Sequence, residues 1–205
     1  MRIEKTVAQP LLELSLFRQR RFVGVQVLAA TPAFLFIVPV VMLPGRLIGF
    51  DGLSPLAAGQ LMMALAAPLL LIGAGIGLPW GLMDAMALNV VEARRAGMAT
   101  GIFNTVRVSA DGVALAVAGA VLAGLIHAGL SPELPAGLPV AQAASRAALG
   151  DLSQAAHLLP DQLDLLRATY DAAFRQLLLL LSGLSVATAV LLVYLLKEPR
   201  QASTP

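Results

Sequence analysis

The sequence predicts an all-α membrane protein of about four transmembrane helices, with short amphipathic helices in one long outer loop. Three observations predict it. The 205 residues are 58% hydrophobic and only 13% charged, with a mean hydropathy of +0.82. Soluble domains carry about twice that share of charge. Three long runs contain no charged residue, and each is as long as the ~20 apolar residues that cross a bilayer. Glycine and alanine recur at four-residue spacing within these segments, the pattern of closely packed membrane helices.

The first span is expected over 22–43, within the uncharged run Phe22 to Gly45. The second is expected over 57–91. Its 35 residues would extend about 52 Å if straight, so Pro68 and Pro79 are expected to bend it or divide it into two pieces. The third, 98–126, is interrupted by Arg107 and Asp111. The fourth, 176–196, is QLLLLLSGLSVATAVLLVYLL. The first 21 residues are polar and of mixed charge, unlike a secretory signal, so the first span is expected to target the chain to the membrane.

Basic residues orient the thread. Four crossings place Arg2, Lys5, Arg18, Arg20, Arg21, Arg94, Arg95, Lys197 and Arg200 on one side. Arg46, Arg146, Arg167 and Arg175 fall on the other, spread over longer loops. Residues 1–21 and 197–205 are thus expected in the cytoplasm, and 127–175 outside. In that outer loop HAGLSPELPAGLP is turn-rich, and the following AQAASRAALGDLSQAAHLLPDQLDLLRATYDAAF reads as short amphipathic helices. A helix starting near Pro160-Asp161, with Asp161, Asp164 and Asp171 favouring its positive end, is expected to run unbroken into the fourth span.

Gly73, Gly77 and Gly81 in the second segment, and Gly112, Ala116, Ala120 and Gly124 in the third, form two candidate packing faces. Each is expected to meet either another helix of this chain or one outside it. Asp84, Arg107 and Asp111 are the candidate functional charges, because a charge in mid-membrane is paired or faces a wet cavity. Arg107 and Asp111 stand one helical turn apart, which suits an internal pair; contact with substrate, or with a carboxylate on another helix, is the alternative for Arg107. Asp84 is a candidate proton carrier or a polar anchor. Zero cysteines and two distant histidines argue against a metal centre or a disulfide scaffold. No cofactor is expected. A net charge of +2 does not call for a nucleic-acid partner, and no nucleophile–base set or phosphate loop suggests an enzyme.

The stretch GIGLPWGLMDAMALNVVEARRAGMATGIFNTVRVSADGVALAVAG resembles the late helices of major facilitator superfamily transporters, in the fourteen-helix drug:proton antiporter branch. QPLLELSLFRQRRFVG resembles the entry to that family's C-terminal half, and GLSPLAAGQLMMAL resembles the segment opening the next helix. The resemblance implies a partial C-terminal half, with an internal deletion fusing the start of one helix to most of another two positions later. It implies transport of small molecules across the bacterial inner membrane in exchange for protons. Arg107 matches the family's helix arginine, whereas Ala110 and Asp111 stand where a glycine pair is usual. Alternating access needs two halves around a midplane site. The chain is therefore expected to act with a second chain supplying the other half, or as a homo-oligomer. The alternative is a small non-transporting membrane protein that regulates a partner through its glycine-rich faces.

Overall fold

The computed structural model describes residues 18–64, 70–71, 73–74 and 96–196. Among them the regular structure is entirely helical. Three helices are long and apolar enough to cross a membrane: Phe22–Gly49, Gly97–Leu130 and Leu163–Leu195. The chain is a multi-pass membrane protein in contact with lipid.

The first long helix consists of α1 (Arg20–Pro32), a π-helical turn (Ala33–Ile37) and α2 (Val38–Gly49). Its sequence explains the irregularity. Pro32, Pro39 and Pro44 bring no backbone N–H, so the regular ladder loses a donor at each. The wider π turn follows directly on the first of them, an adjustment that bends a helix locally. Thr31 Oγ1 donates to the Val27 carbonyl at 2.7 Å, a local back-bond one turn earlier.

Helix α3 (Pro55–Ala64) starts where Ser54 can cap it. The Ala57 N–H donates to Ser54 Oγ at 3.2 Å, and Pro55 occupies the first turn, where its missing N–H costs nothing. Most of the proposed second span, including Asp84, lies outside the described residues. Whether 57–91 is one bent helix falls there too.

Helix α4 (Ala96–Leu130) runs parallel to the first helix. Phe22 and Ala99 pack together at one end, then Val25 and Ala29 with Phe103, and Ala33 shares the main core with Ala110 and Ala114. Helix α7 (Leu163–Leu196) runs back. Its Tyr194 accepts a hydrogen bond from Arg20 at 3.2 Å, while its Tyr170 stacks on Phe50 with ring centroids 3.8 Å apart. Arg20, Ala96 and Tyr194 thus mark one end of the bundle, and Phe50, Leu130 and Leu163 the other.

The second end carries a cap. Amphipathic α5 (Val140–Ala148) buries Val140, Ala143, Ala144 and Ala147, and α6 (Leu152–Leu158) buries Leu152 and Ala155. Gly150, at φ +82°, ends α5. Its N–H donates to the Ala147 carbonyl at 2.9 Å, and the Asp151 N–H to the Arg146 carbonyl at 3.0 Å, the paired bonds of a Schellman stop. Asp151 then caps α6. One Gly-Asp step thus closes one helix and opens the next.

The helices that carry the third and fourth spans continue to Leu130 and back to Leu163, where their ends pack on α5 and α6. The last helix does run unbroken into the fourth span. It starts at Leu163 rather than at Pro160-Asp161, because Asp161 takes a left-handed conformation at φ +65°.

Candidate functional site

The predicted charges on α4 sit on a half-buried face. Arg107 places its guanidinium 5.9 Å from the centre of the Phe103 ring, one turn earlier. Its predicted ion pair with Asp111 does not form: among the described residues, ion pairs within 4 Å involve Arg46 and not these two side chains. Spacing brought the two onto one face, but the rotamer that lies along Phe103 points back toward the N-terminus. That is the normal direction for a long side chain on a helix. Asp84, Gly77 and Gly81 lie outside the described residues.

Gly73 borders an apolar groove of about 710 Å³, lined also by Phe36, Val40, Met62, Met63 and Leu70. A Cβ at Gly73 would meet nothing within 4 Å. The second predicted face is also open. Ala116 and Ala120 are exposed, and a Cβ on Gly112 or Gly124 would meet nothing within 4 Å. The stripe that α4 buries is Ala110, Ala114, Ala118, Leu122, Ile126 and Leu130. It has the same four-residue spacing but is displaced by two residues, about 200° around the helix. Alpha4 thus carries two ladders on opposite sides, and the other described helices pack against the Ala110–Leu130 one.

Two features were missed. Gln26 is 6% exposed within the first helix, and neither its Nε2 nor its Oε1 has a hydrogen-bond partner among the described residues. A carboxamide can make several hydrogen bonds, and leaving one buried without partners is costly. The count of charges in apolar runs passes over an uncharged amide; a count of all polar groups would have found it.

The second is a cluster at the capped end. Arg46 donates through Nη2 to Asp171 Oδ1 at 2.6 Å and lies 3.6 Å from Asp51 Oδ2 through Nε. Its guanidinium sits over the Phe174 ring at 5.0 Å and the Tyr170 ring at 5.9 Å. Tyr170 and Phe174 stack in turn, their centroids 5.9 Å apart. The cluster ties α2 to α7. Asp171, expected to favour a helix start, instead stands two turns into α7 and serves Arg46. A cavity of about 270 Å³ opens here between Arg46, Asp171, Phe174, Arg175 and Leu178.

No family model matches the chain, and no solved structure matches it. It is similar to a multidrug resistance protein, Stp, of Mycobacterium tuberculosis. The identity is 31% over 133 residues in both the CDC 1551 / Oshkosh and the H37Rv strains. The alignment covers 57% of this chain and 24% of the relative. The chain therefore resembles part of a multidrug resistance protein and matches about a quarter of its length.

Proposed function

We propose that the chain is a portion of a drug-efflux transporter of the major facilitator type, moving small, often amphipathic molecules in exchange for protons. The observation that carries this reading is its similarity to the multidrug resistance protein. The helix arrangement supports it. Phe50 and Ala96 lie at opposite ends of the bundle, as an odd number of crossings between them requires, and one crossing over 57–91 meets that. Four crossings then leave both termini on one side, which the basic residues assign to the cytoplasm of the bacterial inner membrane.

Arg107 and Asp84 are the proposed substrate and proton groups, with Asp111 the second carboxylate. Transport requires another half around a midplane site. The outward ladder of Gly112, Ala116, Ala120 and Gly124 is the proposed contact for its helices, whether from a second chain or another copy. The chain by itself is expected to be transport-incompetent.

The test is substrate movement driven by an imposed proton gradient in proteoliposomes, using ethidium as probe. Vesicles holding only this chain are expected to show none. Gradient-dependent ethidium movement in them would overturn the incompetence. Co-purification with another membrane protein, with no movement in the reconstituted pair, would favour the non-transporting regulator.

A further inference from the structure

The cleft at the capped end has a composition that the transporter reading does not use. Arg175 is the last charged residue before the uncharged run Gln176 to Leu196. Tyr194, which accepts from Arg20, stands near the far end of that run. Nineteen residues separate Arg175 from Tyr194, a rise of about 28 Å along a helix. That equals one hydrocarbon thickness, about 30 Å. Tyrosine gathers at bilayer interfaces, and an arginine at the end of an apolar helix run keeps its charged head in the interface. Arg175 therefore stands at a membrane–water boundary, with Leu178 one turn into the hydrocarbon.

The charges in the cleft are of both signs and incompletely used. Arg46 spends Nη2 on Asp171 and turns Nε to Asp51, which leaves further N–H donors on its fork. Asp171 accepts from Arg46 through Oδ1, and its side chain is 52% exposed, so Oδ2 can reach water. Arg175 is exposed and forms no ion pair among the described residues. Phe174 and Leu178 supply an apolar wall directly below. An exposed guanidinium suits a phosphate, and the carboxylate one turn away suits an ammonium.

We propose that this cleft binds the headgroup of a zwitterionic phospholipid bearing a primary ammonium. Arg175 takes the phosphate, Asp171 takes the ammonium, and the acyl chains leave past Leu178. A purely anionic headgroup leaves Asp171 facing a like charge. A trimethylated ammonium offers Asp171 no N–H.

The purified full chain, in detergent with equal amounts of phosphatidylethanolamine, phosphatidylcholine and phosphatidylglycerol, tests this by native mass spectrometry of retained lipid. Phosphatidylethanolamine is expected to exceed each of the others by roughly tenfold, the scale of a charge-assisted hydrogen bond. Arg175→Gln, at an exposed position, is expected to abolish the preference, and Arg175→Lys to keep part of it. Arg146→Gln, on α5 outside the cleft, is expected to leave it intact. Equal retention of the three lipids overturns the proposal, as does a preference unchanged in Arg175→Gln. Loss of preference in Arg146→Gln also overturns it, because the lipid would then respond to overall charge. Displacement of the lipid by millimolar inorganic phosphate would make the cleft a free-anion site and overturn the lipid assignment.

Discussion

Arg46 and Asp171 are 125 positions apart in sequence and 2.6 Å apart in space. Their contact fastens the end of the first long helix to the beginning of the last. Neither side chain is deeply buried, at 25% and 52% exposure, so solvent screens the pair and the ion pair alone contributes at most about 1 kcal/mol. Arg46 also lies over two aromatic rings. Arg46→Gln is therefore expected to lower stability by roughly 1–2 kcal/mol, and Asp171→Asn by less. Thermal unfolding of both single variants and the double variant in detergent checks this. Equal losses in the two single variants would remove the aromatic contribution.

The approach of α2 to the cap depends on glycine. A Cβ on Gly49 would collide with the Gly150 carbonyl oxygen, and the obstructing atoms are all backbone. Gly49→Ala is expected to destabilise by about 1–3 kcal/mol and to loosen α5 and α6. Hydrogen exchange of the amides in 140–158 is the measurement. Unchanged protection would mean that the cap does not seat on Gly49.

The two ladders of α4 separate folding from assembly. Ala114→Leu and Ala118→Leu overpack the buried stripe and are expected to cost about 1–3 kcal/mol. Ala116→Leu and Ala120→Leu meet open space and are expected to leave the fold of the single chain intact. If another helix packs on that face, these two variants weaken assembly instead. Blue native electrophoresis after co-expression reads the difference.

Gln26 gives a prediction of unusual sign. Its amide is buried and has no partner among the described residues, so Gln26→Met removes a desolvated polar group and retains most of the volume. Stability is expected to rise by about 1 kcal/mol. A fall in the unfolding temperature of the purified chain would show that the amide has a partner in the folded protein.

Asp151 supplies the pH dependence. The Gln154 backbone N–H and the Ser153 hydroxyl donate to its carboxylate at 3.1 and 2.9 Å. With a smaller contribution from the Arg146 charge, they hold its pKa below the usual value of 3.8. A depressed folded-state pKa contributes stability above the unfolded-state value, and this is lost as pH falls through the folded one. The cap over α6 is therefore expected to be intact at neutral pH and to weaken only in acid below the usual carboxylate range. Exchange at the Gln154 amide, compared between the wild type and Asp151→Ala, should converge there. A difference that persisted in strong acid would argue against the carboxylate as its source.

What could be read in advance differs by residue. The uncharged runs name the first and the last of the described long helices, and a largely apolar stretch interrupted by Arg107 and Asp111 names α4, because hydrocarbon demands a predominantly apolar segment whatever the neighbours. The unbroken passage of the outer helix into the fourth span was legible for the same reason: nothing from Leu163 onward ends a helix. Arg107 and Asp111 share a face as predicted, but Arg107 lies over the Phe103 ring, and spacing alone does not choose between a ring and a carboxylate. Arg46 read as a charge marker and Asp171 as a helix-start residue, since no local pattern joins positions so far apart.

The sequence by itself determined that this chain is helical and lies in a bilayer, and which stretches carry the long helices among the described residues. These follow from composition and periodicity, which are local. Tertiary structure decided which of α4's two four-residue ladders is buried among the described helices and which faces outward. It also brought Arg46, Tyr170, Asp171 and Phe174 into one cluster. A four-residue repeat is the same on either side of a helix, and only the helices packed against it break that symmetry.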